Sequence, residues 1–126
     1  MILLDTSVLI DGFSGARRSA SALRRAIERG ERILLTTLVL YEWLRGPRIE
    51  QERVAQEALF PAESAVPFGL REASLAAEIY RGASRARGRE MDLAIAACAL
   101  LADAELWTLD ISDFRDIPGL RVARPY

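Results

Sequence analysis

The chain opens MILLDTSVLI (residues 1–10), and these ten residues decide how the fold is read. Ile2, Leu3 and Leu4 form a short apolar run ending on Asp5, the mark of a strand buried on both faces of a parallel sheet. Asp5, Thr6 and Ser7 then make a turn into a short helix built on Val8, Leu9 and Ile10, which a hydroxyl is expected to cap. Ligands of open α/β sheets collect beyond the carboxyl ends of the strands. Asp5 stands at such an end.

The same alternation continues along the chain. A helix is predicted near 18–29, with Ala20, Leu23 and Ile27 on one face and Gly30 as its stop. Arg32 to Thr36 reads as a second strand, and Thr36 or Thr37 caps the helix that carries Glu42 and ends at Gly46-Pro47. Residues 48–59 form a charged helix with a thin apolar stripe of Ile49, Ala55 and Leu59, closed by Pro61. Ala65 to Phe68 is a short strand in which Pro67 limits ladder pairing. A long helix over 70–87 buries Leu75, Ala76, Ile79, Tyr80 and Ala83 and breaks at Gly88, and a helix over 90–103 is apolar almost all round. Leu106 to Leu109 is the next strand, with Leu120 to Val122 as an edge. The order predicts an α/β fold, a three-layer α/β/α sandwich with a mainly parallel central sheet, and residues 1–126 as a single domain.

This topology gathers acids. Asp5 and the pair Asp110 and Asp113 follow strands, while Glu42 and Asp92 are expected in the first turns of helices whose N-termini face the same sheet edge. Two carboxylates about 4 Å apart repel by about 4 kcal/mol at an effective dielectric near 20, so such a cluster needs a cation. Mg²⁺ or Mn²⁺ fits an all-oxygen donor set that leaves room for water and substrate phosphate. With no histidine and Cys98 as the only cysteine, a zinc site of nitrogen and sulfur ligands and Ser-His-Asp or Cys-His catalysis are excluded. Cys98, in the apolar run AIAACALL, is expected to be a core thiol, and an internal disulfide is impossible.

Hydrophobic residues make up 51% of the chain, enough to cover both faces of a sheet. The net charge is −1, but all 17 basic residues are arginine. If five of the 18 acids belong to the pocket, 13 acids face 17 arginines elsewhere. Arginine suits phosphate through bidentate contacts, although arginine without lysine is also what a GC-rich genome produces. Arg85, Arg87 and Arg89 in GASRARGR (82–89) enter directly on the Asp92 helix and are candidate contacts to a nucleic-acid backbone. No run approaches a membrane span and no secretory pattern opens the chain, so a cytoplasmic protein is expected.

Three segments carry a resemblance: LLDTSVLID (3–11), TLVLYEWLRG (37–46) and MDLAIAACALLADAELWTLDISDF (91–114). With their spacing they resemble PIN-domain ribonucleases, and among these the VapC toxins of bacterial and archaeal toxin–antitoxin pairs, over nearly the whole length. The resemblance implies RNA as substrate and Asp5, Glu42 and Asp92 as principal acids. It places the fourth acid in the segment Thr108 to Phe114, where Asp110 and Asp113 compete and Asp110, nearer the strand end, is preferred. Thr6 matches a small hydroxyl beside the first acid, and Ser7 and Thr108 supply further hydroxyls there. ADAEL (102–106) lacks the glycine often found before the last strand.

The resemblance also implies a small antitoxin partner, for which Leu38, Tyr41, Trp43, Leu44, Ile49 and Leu59 are the candidate groove. A homodimer is expected because closed two-fold pairs are the commonest oligomers. Three rival readings are a housekeeping PIN nuclease, a non-catalytic PIN-like domain that binds RNA or protein, and a phosphoaspartyl enzyme. The last wants a lysine near the phosphate, and the chain has none. A pure binder gains nothing from clustered repulsion.

Overall fold

The computed structural model describes residues 1–126. Its frame is a four-stranded, wholly parallel sheet in the order β2-β1-β3-β4, built from β1 (Ile2–Leu4), β2 (Ile33–Leu34), β3 (Glu105–Trp107) and β4 (Val122–Ala123). β1 is central: Leu3 pairs with Leu34 on one side and Leu106 on the other. Its three residues are buried on both faces, as a crossover-connected sheet requires. Six α-helices cover the sheet: α1 (Thr6–Phe13), α2 (Ala20–Glu28), α3 (Thr37–Arg45), α4 (Glu50–Leu59), α5 (Leu70–Gly82) and α6 (Glu90–Leu101). The α/β/α arrangement expected from the alternation is the one observed.

Several local expectations are corrected, each for a packing reason. Ala22, Leu23 and Ala26 form the inner face of α2, while Ile27 stays 42% exposed. The small residues let α2 lie against α1, where a Cβ on Gly12 would meet Leu23 Cδ1 at 2.8 Å. On α4 the buried residues are Glu52 and Gln56, and Ile49 and Leu59 face solvent. Trp43 explains this: its indole is fully buried, and its Nε1 donates to Gln56 Oε1 at 3.2 Å, while Gln56 Nε2 donates to the Phe60 carbonyl at 2.9 Å. A buried indole N–H needs a partner, and α4 supplies one. Phe13 stands edge-on to both Trp43 and Phe60 and closes that cluster.

Val66 makes only a single parallel bridge, to Thr36, because the next residue is a proline with no N–H to give. α5 ends at Gly82, Ala83 being extended, and none of its residues is fully buried, Tyr80 included. Gly88, at φ +86°, turns the chain into α6. From Leu93 to Ala99 every residue of α6 is buried. That helix is the spine of the molecule, and it carries Asp92 in its first turn.

Candidate active site

The parallel pairing of β1 with β3 sets Leu4 against Trp107, so the residues that follow, Asp5 and Thr108, emerge side by side. The Asp5 amide donates to the Trp107 carbonyl at 2.9 Å. Asp5 Oδ2 accepts the Thr108 hydroxyl at 2.7 Å and the Ser7 hydroxyl at 2.9 Å, which leaves Oδ1 without a hydroxyl donor. Both hydroxyls are themselves fixed: Ser7 Oγ accepts the Leu109 amide and Thr108 Oγ1 the Asp110 amide, each at 3.0 Å. The expected hydroxyl cap of α1 is absent. Thr6 and Ser7 brace carboxylates instead.

Glu42 is the sixth residue of α3, so it lies beyond the first turn in which it was expected. It reaches the sheet edge because α3 packs on α1, where Thr6 Oγ1 donates to Glu42 Oε1 at 2.5 Å. Arg45 approaches the other oxygen at 3.4 Å. Thr36, not Thr37, caps α3 by accepting the Val39 amide at 3.0 Å.

The electrostatics tie four acids together. Asp92 is half-buried, and its pKa is pushed up to about 6, first by burial and then by the charges of Asp5, Asp113 and Glu42, with Arg89 opposing. Burial also raises the Asp5 pKa, against the lowering effect of Thr108, Ser7 and the Thr6 amide, and Glu42 adds to the rise. Asp110 and Asp113 are both solvent-exposed, and Asp110 is not among the charges acting on Asp92. Of the two acids that compete for the fourth place, Asp113 is the one whose charge bears on Asp92. A 3-10 turn over Ile111–Asp113, with the Asp113 amide donating to the Asp110 carbonyl at 3.0 Å and Phe114 buried behind it, folds the chain back toward α6.

No three carboxylates close on a single point at coordinating distance. Full convergence of the acids is thus not what the side chains show: Glu42 is held by Thr6 and Arg45, and like charges favour separation. The donor set nevertheless fits a hard divalent ion. It is all oxygen, Asp5 keeps one oxygen clear of hydroxyl donors, and surroundings that raise the proton affinity of Asp92 by negative charge reward a cation there.

The three candidate arginines divide. Arg85 and Arg87 are exposed, whereas Arg89 is engaged within the protein by a bidentate pair with Asp116. Asp116 had no signal in the sequence, since an acid in a loop has no periodicity to betray its partner. Among the expected partner-groove residues Trp43 is fully buried and unable to meet a partner, while Tyr41, Leu44, Ile49 and Leu59 are exposed. A groove of about 570 Å³ lies instead between α1, α2 and α4 and is lined by Phe13, Leu23, Ile27, Ala55 and Leu59 among others. Cys98 is buried, with its thiol pKa pushed up to about 12 by burial, and no helix is long and apolar enough to cross a membrane.

Comparison with known proteins gives a consistent result. The PIN domain family model matches residues 2–120. Ribonuclease VapC19 of Mycobacterium tuberculosis is 35% identical over 127 residues, covering 96% of this chain and 98% of its own. A DNA-bound VapBC from Salmonella typhimurium superposes with a TM-score of 0.82 at 18% identity, covering 99% of this chain and 98% of that one. A toxin–antitoxin complex from Klebsiella pneumoniae gives 0.74 at 28% identity, covering 100% and 98%.

Proposed function

The chain belongs to the PIN-domain family and, within it, is a relative of the VapC ribonucleases; from that premise we propose that it is the toxin of a toxin–antitoxin pair, an endoribonuclease that depends on a divalent metal. One observation carries the reading: Asp92, at the head of the central helix, feels the charges of Asp5, Glu42 and Asp113 at one edge of the sheet. Residues 1–126 serve as one nuclease domain acting on RNA in the cytoplasm.

Asp5, Asp92 and Asp113 would hold the ion, Mg²⁺ or Mn²⁺, with Glu42 completing the site. When bound, such an ion lowers the pKa of a coordinated water and stabilises negative charge on the phosphate under attack. The chain's own residues do the rest. Ser7 and Thr108 fix one oxygen of Asp5 and leave the other for the ion, and Thr6 holds Glu42 in place. Arg85 and Arg87, exposed in the turn that enters the Asp92 helix, would meet the RNA backbone.

Two surfaces support the partners. The groove between α1, α2 and α4 is apolar, with Ile27 and Leu59 half-exposed, and fits an apolar segment of the antitoxin. Tyr41, Leu44 and Val54 on the outer faces of α3 and α4 are exposed to similar degrees and suit pairing with a second copy. The test expresses the chain alone. Growth arrest that Asp5→Asn abolishes, RNA cleavage that EDTA stops, and relief by a small co-expressed neighbour that copurifies would bear the proposal out. A harmless protein that cuts RNA would be a housekeeping nuclease, and cleavage indifferent to EDTA and to Asp5→Asn would remove the site.

A further inference from the structure

Two segments position the site's third and fourth acids: the turn that enters α6 ahead of Asp92, and the stretch after β3 that carries Asp113. They are bridged by one side chain. Arg89 Nη1 donates to Asp116 Oδ2 at 2.9 Å and Nη2 to Asp116 Oδ1 at 2.7 Å, a two-pronged pair across 27 residues of sequence. Nη2 also donates to the Asp113 carbonyl at 2.7 Å, and Nη1 to the Arg85 carbonyl at 3.2 Å. The Arg89 side chain is only 19% exposed, so its guanidinium is spent on the protein's own backbone and carboxylate.

We propose that Arg89 is a positioning residue: clamped to Asp116 and to the Asp113 carbonyl, it holds the loop of Asp113 against the head of the Asp92 helix so that both acids address the same metal ion. A bidentate guanidinium constrains both distance and orientation, which lysine cannot reproduce. The alternative role, gripping RNA, would need a guanidinium free of these four bonds. Charge alone argues the other way as well, since a cation beside the site repels a metal ion. The fold keeps one there for its geometry.

The inference rests on the metal-dependent reading above, and the test separates the two. Arg89→Ala, Arg89→Lys and Asp116→Asn are made in the full chain, and Mn²⁺ binding is measured by calorimetry alongside hydrogen exchange over residues 110–116. Arg89→Ala should weaken Mn²⁺ binding by about 10- to 100-fold, as loss of a group that orients metal ligands does. Asp116→Asn, which removes a charge that touches none of the other acids, should shift binding in the same direction, and Arg89→Lys should fall between. Exchange over 110–116 should quicken in all three, while the salt dependence of binding to a single-stranded RNA stays at the wild-type slope. Tighter Mn²⁺ binding by Arg89→Ala would mean that its charge alone matters, and a slope reduced by about 0.7 would make it an RNA contact; either overturns the proposal. If Arg89→Ala fails to fold, wild-type Mn²⁺ affinity in both Arg89→Lys and Asp116→Asn overturns it equally. A wild-type chain that binds no Mn²⁺ refutes the metal reading itself, an outcome distinct from variants that bind as well as wild type.

Discussion

Asp92→Asn should make the metal-free protein more stable while destroying its activity. The pKa of Asp92 rises from 3.8 to about 6, burial being the first cause and the charges of Asp5, Asp113 and Glu42 the next. A rise of that size corresponds to about 3 kcal/mol. Asp92 is only half-buried, and screening by solvent reduces the figure to about 1–1.5 kcal/mol. The folded state binds the Asp92 proton more tightly than the unfolded chain, so the stability it confers is fully present below 3.8 and is lost as pH rises through about 6. At pH 7 the ionised carboxylate therefore destabilises the fold, and an isosteric amide removes that cost.

The expected result, by thermal denaturation in EDTA at pH 7, is a midpoint about 3–6 °C above wild type. The advantage should fall to roughly a third by pH 4.5, where wild-type Asp92 is itself mostly protonated. Excess Mn²⁺ should reverse the order by stabilising wild type alone. An Asp92→Asn protein no more stable than wild type at pH 7, or stabilised equally at both pH values, would refute the claim that burial and the neighbouring acids together disfavour the ionised Asp92.

Three further outcomes are expected. Asp113→Asn should lower RNA cleavage by about 100-fold or more, whereas Asp110→Asn should leave it near wild type; comparable losses would return Asp110 to the site. Thr108→Val removes the 2.7 Å bond to the buried Asp5 carboxylate and should cost about 1–3 kcal/mol in chemical denaturation. Because that bond holds the Asp5 pKa down, the acid limb of the pH–rate profile should also move to higher pH. Arg85→Ala combined with Arg87→Ala should flatten the log affinity against log salt slope for single-stranded RNA by about 1.4, two phosphate contacts' worth; an unchanged slope makes both a solvated turn.

The sequence by itself determined the parallel sheet, the order of its elements and the residues from which a site could be made. Strand and helix periods, Gly30, Gly46-Pro47 and Gly88 are local signals, and local sterics enforce them wherever the chain goes. Asp5 and Asp92 were legible for the same reason, each standing where a strand ends or a helix begins. Tertiary structure alone decided the rest. Glu42 reaches the site from the second turn of its helix because Thr6, 36 residues away, meets it there. Asp5 depends on Thr108 across 103 residues, and a 3-10 turn ahead of a buried Phe114 sets where Asp113 lies. Arg89 turns inward because Asp116 and the Asp113 carbonyl await it, and α4 buries Gln56 rather than Leu59 because Trp43 needs an acceptor. A hydrogen bond at such separation has no period in the sequence; its partners are chosen only when packing brings two distant backbones together, and in this chain that choice sets how Asp5 and Glu42 are held.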